Sequence, residues 1–376
     1  MKVIDIYAEI TSVEHLFCLG ILYTVYQQQK HSGRTQRPRP HTAAKPQGHR
    51  KGHRTMNEKT MRQIEAIKQG TIGVEVEMNG ITRRAAAKLA AKFFGTDRWE
   101  DSSDRNGYHA FSAWDQQGRE WRFQYDSSIA GPDASKTELV TPILHYDDID
   151  TLQELCRRLR KAGAKSDPTR GTAVHVHIGA DGHTPQSLRN LVNIMASHEQ
   201  LIIDALQIDP GRVARYCRKV NPKFLAELNK KKPKTMDELA DVWYESQGFG
   251  YGRTAHYNKS RYAFCNLHAT FTKKTIEFRG WNFLAPTEDK QNGIHSGLLK
   301  TFIQLSLALS ARAKEVKSAS AKPIQTDNPK FQMRTWLNSL GMIGPEFETA
   351  RKFLTENLEG DAAFRFGREG THRRAA

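Results

Sequence analysis

The sequence predicts an α+β fold: a largely antiparallel, curved sheet with helices packed on one face. Three observations carry this. Strand-like segments with period-2 alternation recur along the chain, several of them adjacent or paired as a hairpin. Amphipathic segments at helical spacing are interspersed among them. No Gly-rich phosphate loop of the G-x-G-x-x-G or G-K-S/T kind follows the first strand, which argues against a doubly wound parallel sheet.

The elements follow in order. Residues 27–55, QQQKHSGRTQRPRPHTAAKPQGHRKGHRT, offer almost nothing to bury, so residues 1–56 are expected to be a disordered basic extension, either passive or touching nucleic acid. Their apolar run, LFCLGILYTVY at 16–26, is shorter than the roughly 20 residues that span a bilayer. It also follows Asp5, Glu9 and Glu14, unlike the basic start of a signal peptide. From residue 57 to 316 the alternation of strand and helix patterns predicts one ordered domain. TIGVEVEMNGI is its first strand, and RRAAAKLAAKFFG (83–95) an Ala-rich helix closed by Gly95. YHAFSAWDQQGREWRFQYDSSI (108–129) reads as a hairpin turned at DQQG. TELVTPIL (137–144) is a strand, and DIDTLQELCRRLRKAGA (148–164) a helix with Asp148 as its expected cap. TAVHVHIGA is the next strand, followed by a long helix over 184–208 entered through Thr-Pro. Residues 211–260 read as an irregular basic insert. YAFCNLHATF and TIEFRGWN read as strands, 289–316 as a long helix, and 317–376 as a helical tail.

Hydrophobic residues make up 38% and charged residues 26%, which suits a soluble globular chain. The 57 Lys and Arg exceed the 41 Asp and Glu, giving +16, and residues 57–376 keep 48 against 38. Partners are therefore expected to be acidic, and a nucleic-acid binder is one rival reading. Nine of the basic residues fall between Gly211 and Lys234 with Glu227 as the only acid; that insert is either a solvated face or a wall attracting an anionic substrate. The cysteines at 18, 156, 217 and 265 give no metal spacing, and a reducing cytoplasm is the expected location.

The chemistry lies in the alternation. VHVHI puts His175 and His177 on one strand face, GVEVEM does the same with Glu75 and Glu77, and TIEFRGW with Glu277 and Arg279. YDSSI adds Asp126 and Ser128, and TELV adds Glu138. The opposite faces carry Val74, Val76, Val174, Val176, Ile276 and Phe278. Taken singly, each pair reads as a solvated face or a surface ion pair. Taken together, such carboxylates on neighbouring strands resist joint ionisation unless cations lie between them. Oxygen ligands with a histidine or two favour Mg²⁺ or Mn²⁺, and an arginine beside them suits phosphate or carboxylate oxygens.

These segments carry a resemblance. GVEVEMNGITR, YDSSI…TELVTPIL, GTAVHVHIGA, HYNKSRYAFCNLHATF and TIEFRGWN occur in the order seen in the amidoligase family, over roughly residues 70–315. That family resembles a branch of the glutamine synthetase and glutamate–cysteine ligase superfamily. The resemblance implies a glutamine synthetase catalytic-domain-like sheet holding ATP and divalent metals, Mg²⁺ or Mn²⁺. It also implies amide or isopeptide formation from a small-molecule or peptide carboxylate and an amine, through an acyl phosphate. It implies Glu75, Glu77, Glu138, His175 and Glu277 as metal ligands, with Asp126 a further candidate. His177 and Asn266 fall on the nucleotide side, Arg279 on the phosphate, and Arg261 on the substrate or phosphate. Arg279, Arg261 and Glu277 are the expected catalytic set. One departure is FLAPTEDK after EFRGWN, where Thr287 is the nearest match to the family's segment. The competing readings are a metal-dependent hydrolase, since H-x-H with acids also suits two-metal hydrolysis, and a basic nucleic-acid binder with a decayed site.

Overall fold

The computed structural model describes residues 57–366, except 251, 256, 286 and 288–292. The expected extension at 1–56, the start of the helix placed at 289, and the last residues of the tail lie outside them. Among the described residues, eight strands form one sheet: β1 (Ile72–Met78), β2 (Trp99–Asp101), β3 (Phe111–Trp114), β4 (Glu120–Gln124), β5 (Thr137–Val140), β6 (Val174–Gly179), β7 (Cys265–Asn266) and β8 (Thr275–Trp281). Their order is β2-β3-β4-β5-β1-β6-β8-β7, every strand pair antiparallel. The helices are α1 (Glu58–Lys68), α2 (Arg83–Phe94), the single turn α3 (Ser103–Asn106), α4 (Ile149–Lys161), α5 (Pro185–Leu206), α6 (Pro210–Arg215), α7 (Pro222–Lys231), α8 (Met236–Glu245), α9 (His268–Lys273), α10 (Ser296–Glu315), α11 (Pro329–Ser339) and α12 (Glu348–Glu356).

Local chemistry sets most boundaries. Thr82 caps α2, and Gly95 ends it at φ 70°, a left-handed conformation that favours glycine. The DQQG turn joins β3 to β4 as the alternation predicts. Asp148 differs from expectation: its carboxylate accepts the His145 N–H and pairs with Arg119, so it does not cap α4 with its side chain. The irregular insert is corrected too. Three helices fill half of it, started by Asp209, Asn221 and Thr235, whose side chains each accept a first-turn N–H. Phe224, Leu228, Leu239, Val242 and Trp243 bury their inner faces. YAFCNLHATF is strand only at Cys265–Asn266; the Asn266 side chain then accepts the His268 N–H and turns the chain into α9.

One sheet face packs on helices. Val74, Val76, Val174, Val176, Ile276 and Phe278 are fully buried there. The central helix α10 lies against β6, α5, α1, α4 and α12, and α2 covers β3 and β4. The tail helices share this core through Met333, Trp336, Leu337 and Leu354.

A bulge in β8 shapes the other face. Val174 faces Trp281 while Val176 faces Phe278, so Arg279 and Gly280 together oppose the single His175. The extra residue flips the alternation. Trp281 therefore joins the apolar side, stacked on Phe302 at 5.4 Å, while Arg279 stays with Glu277. Gly280 is required because a Cβ there would meet the Phe264 ring at 2.2 Å.

Candidate active site

Strand register brings the predicted residues into rows on the second face. Glu75 faces His175 across β1–β6, and Glu77 faces Glu138 across β1–β5. His177 faces Glu277 across β6–β8, and Glu277 faces Asn266 across β8–β7. These side chains, though polar, are almost as buried as the valines behind them; only Glu75 keeps partial exposure.

The contacts are close. His175 Nδ1 lies 2.8 Å from Glu75 Oε2, and His175 Nε2 lies 3.7 Å from Glu77 Oε1. His177 Nε2 lies 3.3 Å from Glu75 Oε1, and its Nδ1 lies 3.1 Å from Thr275 Oγ1. Glu277 accepts from Arg279 Nη1 at 2.5 Å and from Asn266 Nδ2 at 2.7 Å. Two triads of potential ligands result, Glu75–His175–Glu277 and Glu77–Glu138–His175, each with its donor atoms within 4.8 Å of one another and both using His175.

Burial penalises every charge here, and the neighbours decide each sign. Burial, then Asp126, pushes Glu77 up to about 8, and burial with Glu75 pushes Glu138 well above the carboxylate range. Burial would raise Glu277 and Glu75 as well. Arg279 and His177 instead hold Glu277 at about 2, and the two histidines hold Glu75 well below its ordinary value. Burial and Arg279 push His175 down to about 4; His177 is raised because Glu277 and Glu75 outweigh its burial. Glu77 Oε2 is buried without a hydrogen-bond partner. Crowded carboxylates, an orphaned oxygen and a largely neutral imidazole are what a hard divalent cation would satisfy. The residues therefore fit Mg²⁺ or Mn²⁺.

The face floors a cleft of about 610 Å³, which Glu75, Glu77, Glu138, His175, Glu277 and Arg279 all line; His177 sits beside it behind Glu75. Asp126 reaches the cleft too but joins neither triad. It lies in a turn rather than a strand, and one of its oxygens accepts the Ser128 N–H at 2.7 Å. Arg261 lies over Tyr257 and Tyr262, 5.1 and 5.5 Å from their ring centroids. Asn266 commits its amide to Glu277 and to the His268 N–H, so it orients a carboxylate. Thr287 is exposed and does not line the cleft.

Three features escaped the sequence reading. Gln124 donates to Glu138 at 2.6 Å, and its alternation with the buried Trp121 and Phe123 could have revealed it. The hydroxyls of Tyr108 and Tyr257 meet at 2.9 Å at the cleft; no local pattern pairs residues so distant in sequence. Arg212 is buried and lines the cleft, whereas the lysines between 223 and 234 do not.

The model of a family described as "Putative amidoligase enzyme" matches residues 68–291, a span that contains both triads, Arg261 and Arg279. No curated protein matches the chain. A bifunctional glutathione synthetase from Pasteurella multocida, known from a crystal structure, aligns at 13% identity with a TM-score of 0.38. The alignment covers 80% of this chain and 48% of that one, so the chain spans about half that protein's length. With its matched region exceeding half the sequence and enclosing the whole polar face, the chain belongs to the amidoligase family.

Proposed function

We propose that the protein is an ATP-dependent carboxylate–amine ligase that forms an amide or isopeptide bond through an acyl phosphate. The observation that carries this reading is the pair of triads sharing His175, with Arg279 beside them. We read the sheet as a glutamine synthetase-like catalytic domain occupying residues 57–316, with residues 317–366 bracing its helical side. Three buried free cysteines accord with a reducing cytoplasm. No helix among the described residues is long and apolar enough to cross a membrane.

A carboxylate is a poor electrophile. In the proposed reaction its oxygen takes the γ-phosphoryl group of ATP as the bond to ADP breaks; the amine nitrogen then bonds to the carbonyl carbon, and the C–O bond breaks to release phosphate, which leaves with the proton the nitrogen gives up. Divalent ions supply charge neutralisation on phosphate oxygens when bound. The chain's own residues do the positioning. Glu75 and Glu277 would hold one ion and Glu77 and Glu138 another, with His175 completing one set at a time, because a neutral imidazole has a single lone pair to give. Asn266 and Gln124 orient Glu277 and Glu138. Arg279, fixed by Glu277, would present its remaining donors to the transferring phosphoryl group. His177 supports the first set through Glu75, Asp126 lies at the side of the second, and Arg261 would face an anionic acyl substrate.

The test is an isotope transfer. Acids and amines are screened for ADP release that requires both, and the active acid is then labelled with ¹⁸O in its carboxylate. The proposal expects one label per turnover in the released phosphate. Label in AMP would indicate adenylation. Amide cleavage with metal alone would replace the proposal with a hydrolase.

A further inference from the structure

Arg212 stands in a stretch whose composition suggests a solvated basic surface, yet it is only 4% exposed. It lies in α6, and its guanidinium donates to two backbone carbonyls, Arg279 O at 3.1 Å and Thr172 O at 3.4 Å. Its Nε is buried with no hydrogen-bond partner. No described carboxylate forms an ion pair with it at contact distance and Glu77 acts on it only from further off, whereas Arg279 pairs directly with Glu277. Carbonyl dipoles compensate a guanidinium in part but do not neutralise it, and a buried unpaired charge is costly. Such a cation is expected where its counter-ion arrives from outside.

The surroundings say which counter-ion. Arg212 lines the cleft with Arg279, Tyr216 and Tyr262. The Arg279 guanidinium centre is 6.0 Å from the Tyr262 ring centroid, and Tyr216 packs edge-on against Tyr262 at 6.2 Å. One guanidinium thus grips the backbone of the bulge from which the other projects. Arg212 adds positive charge to the same wall and also fixes Arg279.

We infer that Arg212 is a further anion-binding arginine of this cleft, taking an oxyanion of the reacting partners beside Arg279. The anion is a phosphate of the nucleotide or the carboxylate of the acid. The ligase reading is needed only to name those two sources; the binding itself does not require turnover.

The experiment measures binding of inorganic phosphate and, separately, of acetate to the full chain by thermal shift, with and without Mg²⁺. Parent, Arg212→Met and Arg212→Lys proteins are compared, each first checked for folding by circular dichroism. At least one anion is expected to stabilise the parent. Arg212→Met should weaken that anion roughly tenfold or more, the loss typical of a hydrogen bond to a charged group. Arg212→Lys keeps the charge but not the fork, so it should fall between them. If Arg212→Met does not fold, a Lys variant equal to the parent overturns the inference. It is also overturned if neither anion stabilises the parent, or if Arg212→Met responds like the parent. An effect on phosphate alone assigns the nucleotide, and on acetate alone the acid. Failure of amine-dependent ADP release would count against the ligase reading and leave this result standing.

Discussion

The two faces of β1, β6 and β8 share the same backbones, and both are buried. On one face, valines, Ile276 and Phe278 meet apolar helices. On the other, Glu75, Glu77, His175, Glu277 and Arg279 meet one another. Alternation in a strand usually separates a core face from a wet one. Here it separates a face that packs from a face where desolvated charges strengthen each other's fields. The polar face is shielded partly by chain that returns over it, including Arg212, Tyr257 and Tyr262. Burial therefore does not distinguish core from site in this sheet; partner chemistry does.

Substitutions on each face test that contrast. Glu277→Ala or Arg279→Ala is expected to lower metal-dependent ATP turnover on the order of 10²–10³-fold, as losses of single charge-stabilising donors do. Val176→Ala is expected to cost roughly 1–3 kcal/mol of stability and to leave turnover per folded molecule near normal. Denaturant titration beside an ADP assay reads both. Equal turnover losses on the two faces would erase the distinction.

Gly280 joins the faces, because its bulge sends Trp281 one way and Arg279 the other. Gly280→Ala drives a methyl group toward the Phe264 ring, and overpacking of this kind costs roughly 1–3 kcal/mol. An unchanged denaturation midpoint would show that the bulge relaxes freely.

Glu199 on α5 shows what burial does to a carboxylate away from the cleft. Burial raises it to about 7, against the opposing Val220 N–H and Lys219. An acid raised in the native state holds its proton more tightly folded than unfolded. Its contribution is therefore full below its ordinary value near 4.5 and is lost as pH rises through about 7. The parent should lose up to roughly 3 kcal/mol across that window from this group. Glu199→Gln should flatten that part of the stability profile, and an unchanged slope would refute the assignment.

The smallest effect is expected at the basic surface. Lys230, Lys231 and Lys232 are exposed and do not line the cleft. Reversing all three to Glu should change stability by no more than about 0.5 kcal/mol and leave KM nearly unchanged. A large salt-dependent rise in KM would restore the insert as a steering wall.

Much of this was legible in the sequence for a physical reason. A strand's period of two fixes sidedness without tertiary information, so Glu75 with Glu77, His175 with His177, and Glu277 with Arg279 could be placed on common faces. The helix at 184–208 was visible through Thr184 and Pro185. The same signature at Asp209–Pro210 and Asn221–Pro222 was masked by a basic composition that suggested loop. What stayed hidden depends on distant chain. Arg212 looks like its exposed neighbours until α6 folds it under β8, and the cleft's tyrosine contact joins residues 149 apart. Y-D-S-S mimics strand alternation, yet the Asp126 side chain bonds two residues ahead and makes a turn, from which it still reaches the cleft.

The central claim is that this buried polar face holds a divalent cation through His175 and its neighbouring carboxylates. Mn²⁺ binding to the purified protein, followed by electron paramagnetic resonance during titration, tests it most directly. At least one saturable Mn²⁺ site is expected in the parent. His175→Ala should weaken it, because His175 belongs to both triads, while Val174→Ala, on the opposite face, should leave it intact. No saturable Mn²⁺ in the parent, or unchanged binding in His175→Ala, would contradict the account.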